Sequence, residues 1–387
     1  MHETRTSADA TSRAFLDPAD PGTANQEALI AWLRLQSALC LSPVLARDCL
    51  QATGGDPVAA LARSGKTPRQ GDRVIRGWIR DLGRRGIRAL PFTASLYPPA
   101  LRALPDPPPL LLARGEIGDL QRPSIAIVGA RAATGYGRGV AWELAAALGK
   151  AGFVVVSGLA RGVDAAAHRG ALAASGHTVA VMGCGPDRVY PPEHRELADD
   201  VAQAGVVVSE LSPGRPPAAP HFPLRNRLIS GLVQAVVVVE ARRRSGSLIT
   251  ARHALEQGRE VLVVPGPIDT VHSAGSNALL RDGARPVLDV SDVLQAVSSP
   301  FGSAPAGGLA PDPEAKAKPR GRDEAKVYGL LCQDVAHRDA LARTLGWPPG
   351  RLSVALTDLE IDGWVEGDRD GRLRAIPAAR RALRERT

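Results

Sequence analysis

The densest run of chemically capable side chains lies between Phe222 and Thr250. Phe222-Pro-Leu-Arg225-Asn226-Arg227-Leu-Ile-Ser230-Gly231 sets two arginines and an asparagine around a helix start. An apolar run then ends at Glu240, followed by Ala-Arg242-Arg243-Arg244-Ser245-Gly246-Ser247-Leu-Ile-Thr250. Ser-Gly-Ser at the opening of a helix supplies two hydroxyls and a turn of main-chain N–H groups, a nest for an anion. Arginine forks onto phosphate oxygens through parallel hydrogen bonds, so the flanking arginines can hold several phosphates at once. Phe222 offers either a stacking face for a base or a core side chain. Glu240 reads either as a general base in a phosphate-lined cleft or as an ion-pair partner that orders the arginines, and the second reading is preferred.

A second cluster follows an earlier apolar run, at Gly129-Ala-Arg131-Ala-Ala-Thr134-Gly-Tyr-Gly137. Its outline is that of a dinucleotide fingerprint, but the second glycine must be bare for a pyrophosphate to approach, and Arg131 stands there. The next strand ends in Ser157-Gly158 instead of an acidic residue that would hold a ribose hydroxyl. NAD and FAD therefore fit poorly, and what is left is a helix N-terminus beside a cation, suited to phosphate. Gly275-Ser276-Asn277 opens a further helix after a strand and is expected to face the same cleft.

Other candidates are weaker. Gly65-Lys66-Thr67 has the tail of a P-loop, yet Ala60 stands at the loop's first glycine and no apolar strand precedes it. Asp164 and His168 share a helix face at i, i+4, an arrangement that caps and ties down a loop more often than it catalyses. No strained Gly-x-Ser-x-Gly elbow stands near them. Tyr190-Pro191-Pro192-Glu193-His194 reads as a rigid turn, with no third ligand beside it for a metal. Cys40, Cys49, Cys184 and Cys332 have no paired spacing, which argues against zinc and disulfides and fits a reducing cytosol. No catalytic residue, cofactor or metal is assigned.

These residues need rigid elements to hold them. From about 116 to 297, apolar runs at 125–128, 153–156, 179–182, 206–208, 235–239 and 261–264 alternate with helix-like stretches. Continuously apolar strands between helices predict an α/β, doubly wound parallel sheet covered on both faces. Aromatics make up only 4% of the 387 residues, so its core must be aliphatic. Residues 1–24 are polar and expected to be disordered. Short helices run to about residue 85, with Ser42-Pro43 and Asp56-Pro57 as helix starts, and the proline run Asp106-Pro-Pro-Pro109 closes this helical domain, 25–115. The Pro-, Ala- and Gly-rich stretch 298–321 reads as a linker. Residues 322–387 give three helices and a hairpin, the outline of a winged helix-turn-helix.

A net charge of +8, carried mostly by arginine, is compatible with nucleic acid without deciding for it. No run reaches the roughly 18 apolar residues of a membrane span, and the acidic N-terminal stretch is no signal peptide, so a cytoplasmic protein is expected.

Taken in order, the motifs resemble the DNA-processing protein A family (DprA, also called Smf). They are Tyr97-Pro98 with Leu101, Ile127-Val-Gly-Ala-Arg131, Ser157-Gly-Leu-Ala-Arg-Gly-Val-Asp-Ala-Ala-Ala-His168 and Gly183-Cys-Gly185 with Tyr190-Pro191. Phe222 to Gly231, Ser245 to Thr250, Val264-Pro-Gly266 and Gly275-Ser-Asn277 with Asp282-Gly-Ala284 complete the series. The resemblance implies an extended Rossmann-like fold that binds single-stranded DNA in a basic pocket and loads the recombinase RecA onto it. Such a protein protects incoming strands during natural transformation, dimerises through its central domain and is not an established enzyme. It also implies a sterile-alpha-motif-like N-terminal domain before residue 116. Carried over, Arg131 is a phosphate ligand, and Arg225, Asn226 and Arg227 shape the pocket. Ser245, Gly246 and Ser247 give main-chain contacts, with Gly158, Phe222, Arg244, Thr250 and Asn277 completing the DNA-binding set. The family's common pocket lysine has no evident match, and Arg242 to Arg244 are the cations available to replace it. Two other readings compete: a phosphoribohydrolase-like enzyme on nucleoside monophosphates, resting on Glu240, and a duplex-binding regulator, resting on the C-terminal segment.

Overall fold

The computed structural model describes residues 15–20, 22–297, 322–331, 337–361, 364–367 and 373–375. The expected linker at 298–321 lies outside them. Two compact units divide the chain, residues 1–307 and 308–387.

The first unit begins with α1 (Thr23–Leu39), α2 (Pro43–Ala52), α3 (Pro57–Ser64) and α4 (Asp72–Arg84). On α4 the buried residues Ile75, Ile79 and Leu82 recur at helical spacing and form one inward stripe. Asp56 caps α3 by accepting from the Val58 N–H at 2.8 Å, whereas Ser42 makes no side-chain cap at α2. These helices pack on β1 (Ile87–Pro91) and β2 (Leu110–Gly115) through Leu29, Trp32, Leu33, Ala89 and Leu112. The short helices expected to about residue 85 are present, while the rest of the expected helical domain 25–115 contributes β1 and β2 to a sheet. The buried leucines 110–112 form a strand directly after a proline run that looked like a boundary. Disorder through residue 24 is likewise corrected, because Leu16 is buried and exchanges main-chain hydrogen bonds with Ala89. Residues 1–14 lie outside the described residues.

After the short α5 (Pro99–Arg102), strands and helices alternate: β3 (Ser124–Val128), α6 (Gly135–Lys150), β4 (Val154–Ser157), α7 (Val163–Ala173), β5 (Thr178–Val181), α8 (Arg195–Ala204), β6 (Val206–Ser209), α9 (His221–Gly231), β7 (Ala235–Val238), α10 (Gly246–Glu256), β8 (Glu260–Val263), α11 (Ser276–Arg281), β9 (Arg285–Pro286) and α12 (Val290–Val297). The nine strands form one sheet in the order β1-β2-β6-β5-β4-β3-β7-β8-β9. The strands from β3 to β9 pair in parallel, as expected, while β1 and β2 add an antiparallel edge beside β6. Alternate residues serve opposite faces. Ile125, Ile127, Val155 and Val237 meet α6, α7 and α12, and Ala126, Val128, Val156, Val236 and Val238 meet α9 and α10.

The chain runs outward from β3 to β6, then crosses back along α9 to β7 on the other side of β3. Loops leaving the carboxyl ends of β3 and β7 therefore diverge, which opens a crevice at that point.

The second unit holds α13 (Arg322–Leu331), α14 (Arg338–Leu345), α15 (Pro349–Ile361) and a hairpin of β10 (Val365–Gly367) with β11 (Leu373–Ala375). Val327, Leu341, Leu356, Trp364 and Leu373 give it a core of its own. Three helices followed by a hairpin make it a winged helix.

Candidate nucleic-acid interface

A cleft of about 680 Å³ lies at the crevice between β3 and β7. Its floor is the loop 129–132 after β3, one wall is α9, and the opposite wall is the segment 242–250 leading into α10. Arg131, Phe222, Arg225, Asn226, Arg244, Ser245, Gly246, Ser247 and Thr250 all line it. These residues, spread over more than a hundred positions of sequence, converge because each follows or precedes a strand end on one edge of the sheet.

The mouth is cationic and aromatic. Arg131 is exposed, and its guanidinium carbon sits 4.9 Å from the centre of the Phe222 ring. Stacking on an aromatic face holds the charge in place while leaving its N–H groups pointing to solvent. Tyr190 lies against the other part of Phe222, with ring centres 5.6 Å apart and planes tilted by 41°. Arg242 and Arg244 stand across the cleft. At the start of α10, Ser245 caps the helix by accepting from the Ser247 N–H, and the two hydroxyls are 2.7 Å apart. The first-turn amides and the helix dipole there favour negative charge.

Below the mouth sits a buried cation. Arg225 donates to the carbonyl oxygen of Gly158 at 2.7 Å, to that of Val181, and to Asn226 Oδ1 at 3.3 Å. Burial pulls its guanidinium down to about 10, against the pull of the nearby Asp164 carboxylate, so it remains charged at neutral pH. Asp164 accepts from the N–H groups of Gly158 (3.1 Å) and Ala160 (3.3 Å), and burial raises its carboxyl above the usual range. Asn226 ties α9 to α10 by donating to the Gly246 carbonyl at 3.2 Å. Gly162, with φ of 76°, lets the loop after β4 lie on the loop after β3; a Cβ there would stand 2.2 Å from the Ala130 oxygen.

Three of the expected ligands are placed elsewhere. Gly158 does not line the cleft; its bare α-carbon makes room for Arg225, since a Cβ would come within 2.6 Å of the guanidinium. Arg227 turns away from the cleft into ion pairs with Asp106 (3.1 Å) and Glu210. Asn277 clasps the loop after β8, accepting from the Gly266 N–H and donating to its carbonyl. Of the cations offered in place of the pocket lysine, Arg242 and Arg244 line the cleft; sequence reading assigned no ligand role to Tyr190 and the segment 217–219, which also line it. Tyr190 follows β5 at its carboxyl end, a position that could have flagged it; Pro217-Ala218-Ala219 carries no chemical signal.

The competing catalytic candidates are occupied with structure. Glu240 is buried, accepts from the Thr134 N–H at 2.9 Å and lies 3.9 Å from His272 Nδ1. It fixes the start of α6, is not among the residues lining the cleft and forms no direct ion pair with an arginine among the described residues. It reaches Arg242 only through His272, whose Nε2 lies 3.3 Å from that guanidinium. His168 is fully buried against the Thr178 hydroxyl at 2.7 Å, and burial lowers it to about 3. With Asp164 tied to main-chain N–H groups, the pair forms no dyad.

Residues 88–298, more than half of the chain, match the model of the family described as DNA recombination-mediator protein A. The chain belongs to that family. Residues 311–371 match the model of the DprA winged helix domain, in agreement with the fold of the second unit. Protein Smf of Escherichia coli (strain K12) is 38% identical over 283 residues, covering 71% of this chain and 74% of its own. DNA processing protein DprA of Bacillus subtilis (strain 168) is 36% identical over 269 residues, covering 69% and 89%. The X-ray structure of DprA from Streptococcus pneumoniae superposes with a TM-score of 0.57 at 33% identity, covering 68% of this chain and 95% of that one. As a member of this family, the protein is a DNA-processing recombination mediator. Among the described residues, no helix is long and apolar enough to cross a membrane.

Proposed function

We propose that the cleft between β3 and β7 binds single-stranded DNA, and that the protein, as a cytoplasmic homodimer, protects an incoming strand and loads RecA onto it during natural transformation. The observation that carries the DNA reading is the Arg131–Phe222 stack beside the opening of α10. An aromatic ring can take a base only when that base is unpaired, and arginine with helix-start amides takes the adjoining phosphates. Arg225 and Asn226 are engaged with protein partners, and much of the remaining lining is alanine, glycine, proline, serine and aliphatic side chains with little capacity to read base edges. Binding tolerant of sequence follows from that composition. Membership of a recombination-mediator family supports the hand-over to RecA.

The test is binding of a labelled oligonucleotide, single-stranded and then duplexed, across a salt series. Single strands should bind more tightly than duplex, with affinity falling steeply in salt. Arg131→Ala should weaken every sequence alike and reduce the slope of log affinity against log salt by about 0.7, the value for one phosphate contact on a single strand. Equal affinity for duplex, or an unchanged Arg131→Ala variant, would remove this reading and move the weight to the winged helix.

A further inference from the structure

A second cleft, of about 320 Å³, opens in the same unit. Ser37 of α1, Arg69 and Trp78 of α4 and its approach form one side, and Ser212 and Arg215 of the loop joining β6 to α9 form the other. That loop is shared. Residues 212–216 line the second cleft and residues 217–219 line the first. From Arg215 to Pro217 the chain spans at most about 7 Å, the rise of roughly two stacked nucleotides at about 3.4 Å each.

Several features of this cleft suit a strand of nucleic acid. Arg69 is exposed and Arg215 half-buried, so two cations face one space. Arg215 reaches Cys40 Sγ at 3.7 Å, a weak acceptor that leaves most of its fork for a stronger one. The neighbouring carboxylates are engaged: Asp72 pairs with Arg34 at 3.2 Å, and Asp187 accepts from the Gly214 N–H at 2.8 Å. In the wall of the cleft, Ser212 is only 6% exposed and its hydroxyl has no hydrogen-bond partner among the described residues. A buried hydroxyl left without a partner costs free energy, and rotation of that side chain toward the cleft would give it a phosphate oxygen as partner. Trp78, half-buried, adds an indole beside the cations.

We propose that this second cleft is a continuation subsite for the same strand, with phosphates on Arg69 and Arg215 and a base against Trp78. It rests on the reading of the first cleft as a single-strand site. The strand would leave the first cleft over Pro217–Ala219 and enter the second without a gap.

The experiment uses the full chain and two labelled oligothymidylates, of about 6 and about 20 nucleotides, within and beyond the roughly 4–16 nucleotides that one compact site covers. The double variant Arg69→Ala, Arg215→Ala should bind the short strand as the unmodified protein does. On the long strand it should lose about tenfold in affinity, and its salt slope should fall by about 1.4, for two phosphate contacts. Tryptophan emission should be quenched by the long strand only, and Trp78→Leu should abolish that quenching. An unchanged long-strand affinity and slope in the double variant would overturn the proposal, as would an unmodified protein whose salt slope is the same for both lengths. Failure of the first cleft is read separately, on the short strand with Arg131→Ala. Loss of the short-strand response there supports the first site whatever the second cleft does, and an unmodified protein that binds neither strand overturns both.

Discussion

Successive residues on an α-helix point about 100° apart, and α9 uses that rotation to send three neighbouring polar side chains to three places. Arg225 goes to the carbonyls at the ends of β4 and β5, Asn226 to the start of α10, and Arg227 to Asp106 and Glu210. Motif and charge in the sequence cannot separate these fates, because all three are arginine or asparagine within one helical turn. The separation can be measured. Arg227→Met leaves Glu210 buried without its cation and should cost about 3–5 kcal/mol in urea unfolding, while the folded variant keeps its affinity for DNA. Adding Glu210→Gln should restore part of the loss; a DNA defect at full stability would instead put Arg227 in the cleft. His168 gives a second residue-scale expectation. Its folded value of about 3 lies below the ordinary 6.5, so the unfolded chain holds the extra proton between those limits. Stability therefore falls as pH drops from 6.5 towards 3, by up to ~1.4 kcal/mol per pH unit. His168→Gln should flatten that acid limb of the urea midpoint, and parallel limbs in the two proteins would show that another group titrates.

At the scale of elements, the parallel strands were legible because β3 to β8 are unbroken aliphatic runs with helices between them. The loops of the cleft were legible because Arg131 and Ser245-Gly246-Ser247 break the patterns of the elements they join. β1 and β2 were not, since Leu110–Leu112 is short and stands behind prolines that read as a boundary. Supporting roles were hidden for a different reason. Gly158 and Asn277 act on other parts of the protein through main-chain contacts, which no spacing rule displays. The opening of α10 yields a test of function against structure. A Cβ on Gly246 would meet nothing within 4 Å, and alanine is favoured over glycine in a helix by about 1 kcal/mol. Gly246→Ala should thus leave the melting temperature equal or higher while lowering affinity for single strands, because the new methyl occupies space beside the anion nest. Unchanged affinity would mean that the strand does not approach this turn.

For the whole molecule, the division into two compact units with separate cores makes the winged helix removable. A chain ending at residue 307 should retain single-strand affinity within about threefold, less than the tenfold that 1.4 kcal/mol of lost contact would bring; loss of binding would transfer the primary DNA site to the second unit. Within the first unit, α9 has a role beyond lining a cleft. Among the described residues it is the only crossover between the two halves of the parallel sheet. Its buried arginines are fastened to the half that contains β3 to β6, while Asn226 donates to Gly246 on the other side. Peeling the β3–β6 half from α9 would strand those charges in a low-dielectric interior, a cost of several kcal/mol per ion. Opening along that face is thereby suppressed, so α9 and the β3–β6 half should melt as one cooperative body. The loops of the cleft then fluctuate with the global stability of the unit and not with the weaker hold of a surface segment.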